Sequence, residues 1–238
     1  MSRFPVFLLR PRLSFRQFRR RRSFQHLMGE LIALAERRAD RSRRHGRAET
    51  AFFYDLACPF SYLAAERVER LLGEVEWIPV AGFTSPWEHQ TAELRPRAER
   101  RAEELHLPLV WPDRFPAGVP GALRTAVRAG EVGAGAMFGL AAARLAFCGG
   151  FDLEDPEVLA EAAAAAGLTL DDCLAAAGDR SLDATIDATA RGLLARGVTE
   201  LPAMRSGRHF HHGERGLTET AALLRARTVY LRLSLIHI

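Results

Sequence analysis

An apolar run from Ala51 to Leu56 stops just short of a proline that opens a helical pattern, and that junction constrains this chain more than any other feature. Residues 51–56 suit a buried strand, and Pro59 suits the first turn of a helix, where its missing N–H costs nothing. Leu63, Ala64, Val68, Leu71 and Leu72 then recur at three- and four-residue steps up to Gly73, which is placed to end the helix. Val75 to Val80 reads as a second strand. Strand, helix and strand in close succession predict a parallel pair joined by a right-handed crossover, and therefore an α/β class.

Beyond this unit, positions 95–195 read as helical. Asp155 is placed to cap a helix that Pro156 begins and Gly167 closes, and Asp171 and Asp172 head a further short helix. Leu201 to Met204 and His209 to His212 flank Ser206-Gly207, a turn signal between two strands. A last helix is expected from Leu217 to Arg227.

Charge divides the chain. Positions 1–48 hold 14 Arg against 3 acidic residues, whereas positions 49–238 hold 19 Arg against 26 acidic residues, so the body is acidic and unlike a nucleic-acid-binding domain. All 33 basic residues are Arg, which we read as the coding bias of a GC-rich genome. Residues 1–27 read as a disordered basic arm or as translated sequence upstream of a start at Met28, and Met28–Arg44 as an amphipathic helix, so that 1–48 forms one basic unit. An unstructured arm is favoured over nucleic-acid binding by Arg19 to Arg22. The apolar run Phe4–Leu9 is shorter than a signal-peptide core, and no stretch approaches the roughly 18 apolar residues that span a bilayer. A cytoplasmic protein without membrane or nucleic-acid partners is expected. Leu233–Ile238 coincides with a translated sequencing-library adapter and is set aside as an artefact.

Three cysteines, at 58, 148 and 173, are too scattered for a disulfide framework, and no CxxC occurs. Cys58 lies between strand and helix. Unpaired N–H groups and the helix macrodipole there favour a thiolate, which predicts a pKa below that of an ordinary thiol, with the Ser61 hydroxyl one turn on as partner to the sulfur. A buried, inert cysteine is the competing reading. Cys148 and Cys173 sit in apolar helical stretches and read as core. His209 and His211 share one strand face and His212 takes the other, two ligands at best, so no metal site is expected.

Phe53-Tyr54-Asp55 before Cys58-Pro59-Phe60-Ser61-Tyr62, the stretch Trp111 to Pro116, Phe151 to Pro156 through Gly167, and Gly197-Val198 to Pro202 together resemble the DsbA-like thioredoxin family, including its 2-hydroxychromene-2-carboxylate isomerase and kappa-class glutathione transferase branches. The resemblance spans about 50 to 227. It implies a thioredoxin-like fold, discontinuous over 49–90 and 196–232, with an inserted helical domain at 91–195.

It also implies a cis Pro202 facing the helix start, with Leu201 presenting its backbone to a bound peptide or glutathione beside Pro59 and Phe60. Dithiol members carry a second cysteine where Ser61 stands, and the isomerase and kappa branches usually carry a serine where Cys58 stands. The expectation that fits both departures is monothiol exchange: Cys58 as nucleophile, Ser61 as its hydroxyl partner, a small-molecule thiol or disulfide as substrate, and glutathione or another low-molecular-weight thiol as a loosely bound co-substrate. The rivals are a glutathione-dependent isomerase or transferase, with Phe60, Tyr62 and Trp111 as apolar walls, and a catalytically degenerate scaffold. A homodimer is an admissible assembly.

Overall fold

The computed structural model describes residues 50–82 and 87–236, and the side chains within them except those of 87–92 and 228–236. The expectations for 1–48 therefore lie outside the described residues.

Among the described residues four strands form one mixed sheet in the order β2-β1-β3-β4. Strand β1 (Thr50–Tyr54) runs parallel to β2 (Glu76–Pro79), pairing Ala51 with Glu76 and Phe53 with Ile78. On its other side β1 runs antiparallel to β3 (Ala203–Ser206), which turns back into β4 (His209–His212) through Gly207, at φ +58°. The parallel pair is joined by α1 (Pro59–Leu72), as the spacing predicts.

Among the described residues six α-helices lie between β2 and β3: α2 (Trp87–Leu105), α3 (Pro120–Glu131), α4 (Gly135–Phe147), α5 (Pro156–Ala165), α6 (Leu170–Gly178) and α7 (Asp183–Leu194). The helix α8 (Gly213–Ile236) follows β4 directly.

The alternation of side chains along β1 builds two cores. Phe52 and Tyr54 join Trp77 and Met204 against α1, α4 and α8 in the larger core. Ala51 and Phe53 face the other way, with Val80, Ala203 and Leu201, and this smaller core is closed by Leu193 of α7 and by Val198.

Several element boundaries differ from the expectation for local reasons. Strand β1 stops at Tyr54 because the Asp55 carboxylate accepts the Ala57 N–H at 2.8 Å and turns the chain. The helical stretch expected over 95–195 begins earlier, at Trp87, and is broken between α2 and α3, where Pro108, Pro112 and Pro116 cannot supply helix N–H groups.

Asp155 caps α5 as expected, accepting the Glu157 N–H at 2.9 Å, but α6 is capped by Thr169, whose hydroxyl accepts the Asp172 N–H at 3.1 Å. Strand β3 starts at Ala203, after a proline that has no N–H to give to the ladder. The last helix starts four residues before the expected Leu217, at Gly213, where φ of +70° suits glycine and Glu214 complements the helix N-terminus. No helix among the described residues is long and apolar enough to cross a membrane.

Candidate functional site

Cys58 is the residue before α1, extended at φ −104° and ψ 117°, with Pro59 as the first helical residue. Two hydrogen bonds to Asp55 shape the approach: its carboxylate takes the Ala57 N–H, and its carbonyl takes the Cys58 N–H at 3.1 Å. The Ser61 hydroxyl accepts the Asp55 N–H at 3.2 Å and lies against the Cys58 sulfur, to which the backbone N–H groups of Ser61 and Phe60 also point. Leu201–Pro202 is a cis peptide bond, and the Leu201 carbonyl lies 3.8 Å from Sγ. Cys58, Ser61, Leu201 and Pro202 thus meet in one place, although they are separated by up to 144 positions of chain.

The electrostatics of the thiol run against the sequence expectation. Cys58 is only 1% exposed. Burial, seconded by the negative charge of Asp55, pushes its pKa up to about 11, despite the N–H groups and the Ser61 hydroxyl that favour the thiolate. The expected thiolate is therefore corrected: desolvation outweighs the helix N-terminus here, because an ion with almost no access to water loses more hydration than three hydrogen bonds return. Burial raises Asp55 as well, to about 6, against the pull of the Ala57 and Gly82 N–H groups.

In front of this group opens a cleft of about 810 Å³. Phe60, Leu201 and Phe210 form its apolar part, and α2 contributes Arg97, Arg100, Arg101 and Glu104 from one face, at helical spacing. The facing wall comes from Glu200 and from the β4–α8 junction, including His211, His212 and Arg215. The Arg97 guanidinium lies 5.5 Å from the Phe60 ring centroid. Behind the wall, Glu214 accepts hydrogen bonds from Arg101 at 2.8 and 3.0 Å and pairs with Arg67 of α1, so one carboxylate ties α1, α2 and α8 together. His211 pairs with Glu219 at 3.1 Å. Among the described residues no group of three or more His, Cys, Asp and Glu is gathered as for a metal.

Of the aromatic walls expected for an isomerase, only Phe60 reaches the cleft. Tyr62 is buried, donates its hydroxyl to the Pro108 carbonyl at 2.7 Å and stacks on Phe147. Trp111 packs on Phe115 at 4.7 Å and donates to Glu99. Cys173 is buried as expected, with Sγ 3.7 Å from the Leu159 carbonyl. Cys148 corrects its expectation, because it ends α4 exposed, beside Tyr62.

Asp55 was visible in the sequence only as part of a motif. An acidic residue three positions before a helix-heading cysteine is nonetheless a turn signal, through its side-chain bond to the backbone two residues on. Arg97, Arg100 and Arg101 had no signal beyond their spacing on a helix whose partner wall is more than 100 positions away in sequence.

This arrangement is that of a thioredoxin-like α/β protein with helices inserted between its second and third strands. Residues 50–225 match the DSBA-like thioredoxin domain, and the chain belongs to that family. Among solved structures, a 2-hydroxychromene-2-carboxylate isomerase superposes with a TM-score of 0.66 at 16% identity, covering 78% of this chain and 98% of the other. The cytosolic disulfide reductase DsbM from Pseudomonas aeruginosa gives a TM-score of 0.59 at 22% identity, covering 77% of this chain and 98% of the other. No curated protein matches the sequence.

Proposed function

We propose that the protein is a monothiol thiol–disulfide exchange enzyme with Cys58 as nucleophile. One observation carries the reading: a single sulfur heads α1 within 3.8 Å of the Leu201 carbonyl, with Ser61 where a second thiol would close an internal disulfide. The Cys58 thiolate attacks one sulfur of a substrate disulfide RS–SR′, forming the Cys58–S–SR bond and expelling R′S⁻, which takes up the proton Cys58 gave up. An external low-molecular-weight thiol R″SH, as thiolate, then attacks the mixed disulfide, releasing RS–SR″ and restoring the Cys58 thiol. Ser61 holds the sulfur through its hydroxyl, and Leu201 and Pro202 border the bound chain. Glutathione fits the co-substrate role, and a reducing, cytoplasmic compartment fits the absence of a paired cysteine at the motif.

A second reading draws on the raised pKa. At neutral pH a thiol titrating near 11 is ionised in on the order of one molecule in 10⁴, which suits a hydrogen-bond donor to another thiolate better than a free nucleophile. In that reading the protein is a glutathione-dependent isomerase or transferase, and Cys58 orients the co-substrate sulfur.

The two separate on substitution. Incubation with a glutathione mixed disulfide followed by intact-mass analysis should show a +305 Da adduct, about the mass of one glutathionyl group, on Cys58, absent in Cys58→Ala. Turnover of a glutathione-dependent isomerisation that survives in Cys58→Ser, with no adduct on the parent protein, would overturn the exchange reading.

A further inference from the structure

A second cavity, of about 430 Å³, opens against the smaller core, away from Cys58. Phe53 and Leu193 form its floor, and both belong to that core. Its walls are the last turns of α7, with Thr189 and Gly192, the turn that follows, with Arg196, and the β3–β4 hairpin, with Arg205, Arg208 and Phe210. The volume lies in the range of small-molecule sites. All three charged residues on its walls are arginines and none is a carboxylate, in a body where positions 49–238 hold 26 acidic residues against 19 Arg. The cleft at Cys58, by contrast, interleaves arginines with glutamates.

Two details favour a built site over a chance cluster. Arg196 is held in place: Nη1 donates to the Gly192 carbonyl at 2.6 Å, and the guanidinium lies 5.9 Å from the Phe210 ring, which leaves its other N–H groups for an incoming acceptor. Gly192 is interior to α7, where helix propensity favours alanine. A Cβ there would meet only Arg196 Nη1, at 3.5 Å, an ordinary contact. Packing therefore does not require the glycine, and what it does provide is an open wall. Arg205 is tethered to Glu76 at 3.3 Å, which offsets its charge, so the positive field of the cavity comes from Arg196 and Arg208.

We propose that this cavity binds a small organic anion with a flat apolar body, an aryl phosphate or aryl carboxylate. Phe53 and Phe210 receive the ring, and Arg196 and Arg208 receive the anion. The site does not use Cys58, although it shares Phe210 with the cleft in front of that thiol.

The test is a calorimetric titration of the full chain with 1-naphthyl phosphate, with 1-naphthoate and 1-naphthol run alongside. The expected result is saturable one-site binding of an anion, at least tenfold weaker for uncharged naphthol, weakened at least tenfold by Arg196→Gln and blocked by Gly192→Leu. Circular dichroism melting of both variants checks that the fold is kept. Tighter binding of the phosphate or of the carboxylate assigns the anion, and either ranking supports the site. Arg100→Gln, in the other cleft, should leave binding unchanged. No saturable binding, equal affinity for naphthol, indifference to both Arg196→Gln and Gly192→Leu, or loss in Arg100→Gln would each overturn the proposal.

Discussion

The Asp55 carbonyl accepts the Cys58 N–H at 3.1 Å while the Asp55 carboxylate, 4% exposed, bonds the Ala57 N–H between them. The residue that shapes the turn is thus also a negative charge that opposes ionisation of the sulfur it positions.

Asn at position 55 keeps an oxygen for the Ala57 N–H and removes the charge. Asp55→Asn should therefore lower the pKa of Cys58 from its value of about 11. Iodoacetamide labelling across pH, resolved by peptide mass spectrometry so that exposed Cys148 is followed separately, reads this directly. An unchanged titration would mean that burial alone sets the thiol.

The same carboxyl carries a stability signature. Its folded pKa of about 6 lies above its ordinary value of 3.8. A raised carboxyl pKa contributes stability that is fully present below the unfolded value and is lost as pH rises through the folded one. Between pH 4 and pH 6.5 the protein should therefore lose about 2 kcal/mol relative to Asp55→Asn. Urea unfolding midpoints of the two proteins, compared at both pH values, measure it; parallel pH dependences would refute the assignment.

Gly139 packs against the larger core with no room for a side chain. A Cβ there would come within 2.8 Å of the Tyr54 hydroxyl and 3.0 Å of Trp77 Cε3. Gly139→Ala should cost about 1–3 kcal/mol through overpacking. The Tyr54 hydroxyl is buried and has no hydrogen-bond partner among the described residues, so Tyr54→Phe should be close to neutral and should recover part of the Gly139→Ala loss. A double-mutant cycle by chemical denaturation gives the coupling, and additive effects would rule the contact out.

Glu214 joins three helices through Arg67 and Arg101. Its side chain is 9% exposed and that of Arg67 12%, so Glu214→Gln leaves a largely buried cation uncompensated and should cost about 1–3 kcal/mol. Arg101 is 30% exposed and relaxes toward solvent. Urea denaturation at low and high salt checks the loss, which should shrink little with salt because the pair is shielded.

Much of the scaffold was legible in the sequence. The β1–α1–β2 unit, the Asp155 cap and the β3–β4 turn follow from local rules that act within a few residues, such as proline at a helix start or glycine at positive φ. The gathering of Cys58, Ser61, Leu201 and Pro202 was reachable only through family resemblance, because the pairing of β1 with β3 that brings them together is long-range. The ionisation of Cys58 is not legible in the sequence for a related reason. Helix position is local, but burial is set by the whole fold, and here it dominated. The cleft arginines and the Thr169 cap were missed because each depends on which of several equivalent polar residues faces a neighbour.

Phe210 contributes to the walls of both cavities. It sits on β4, which among the described residues is an edge strand of the sheet. Because the same ring borders both volumes, an occupant that displaces it from one side changes affinity on the other, by the same factor in both directions.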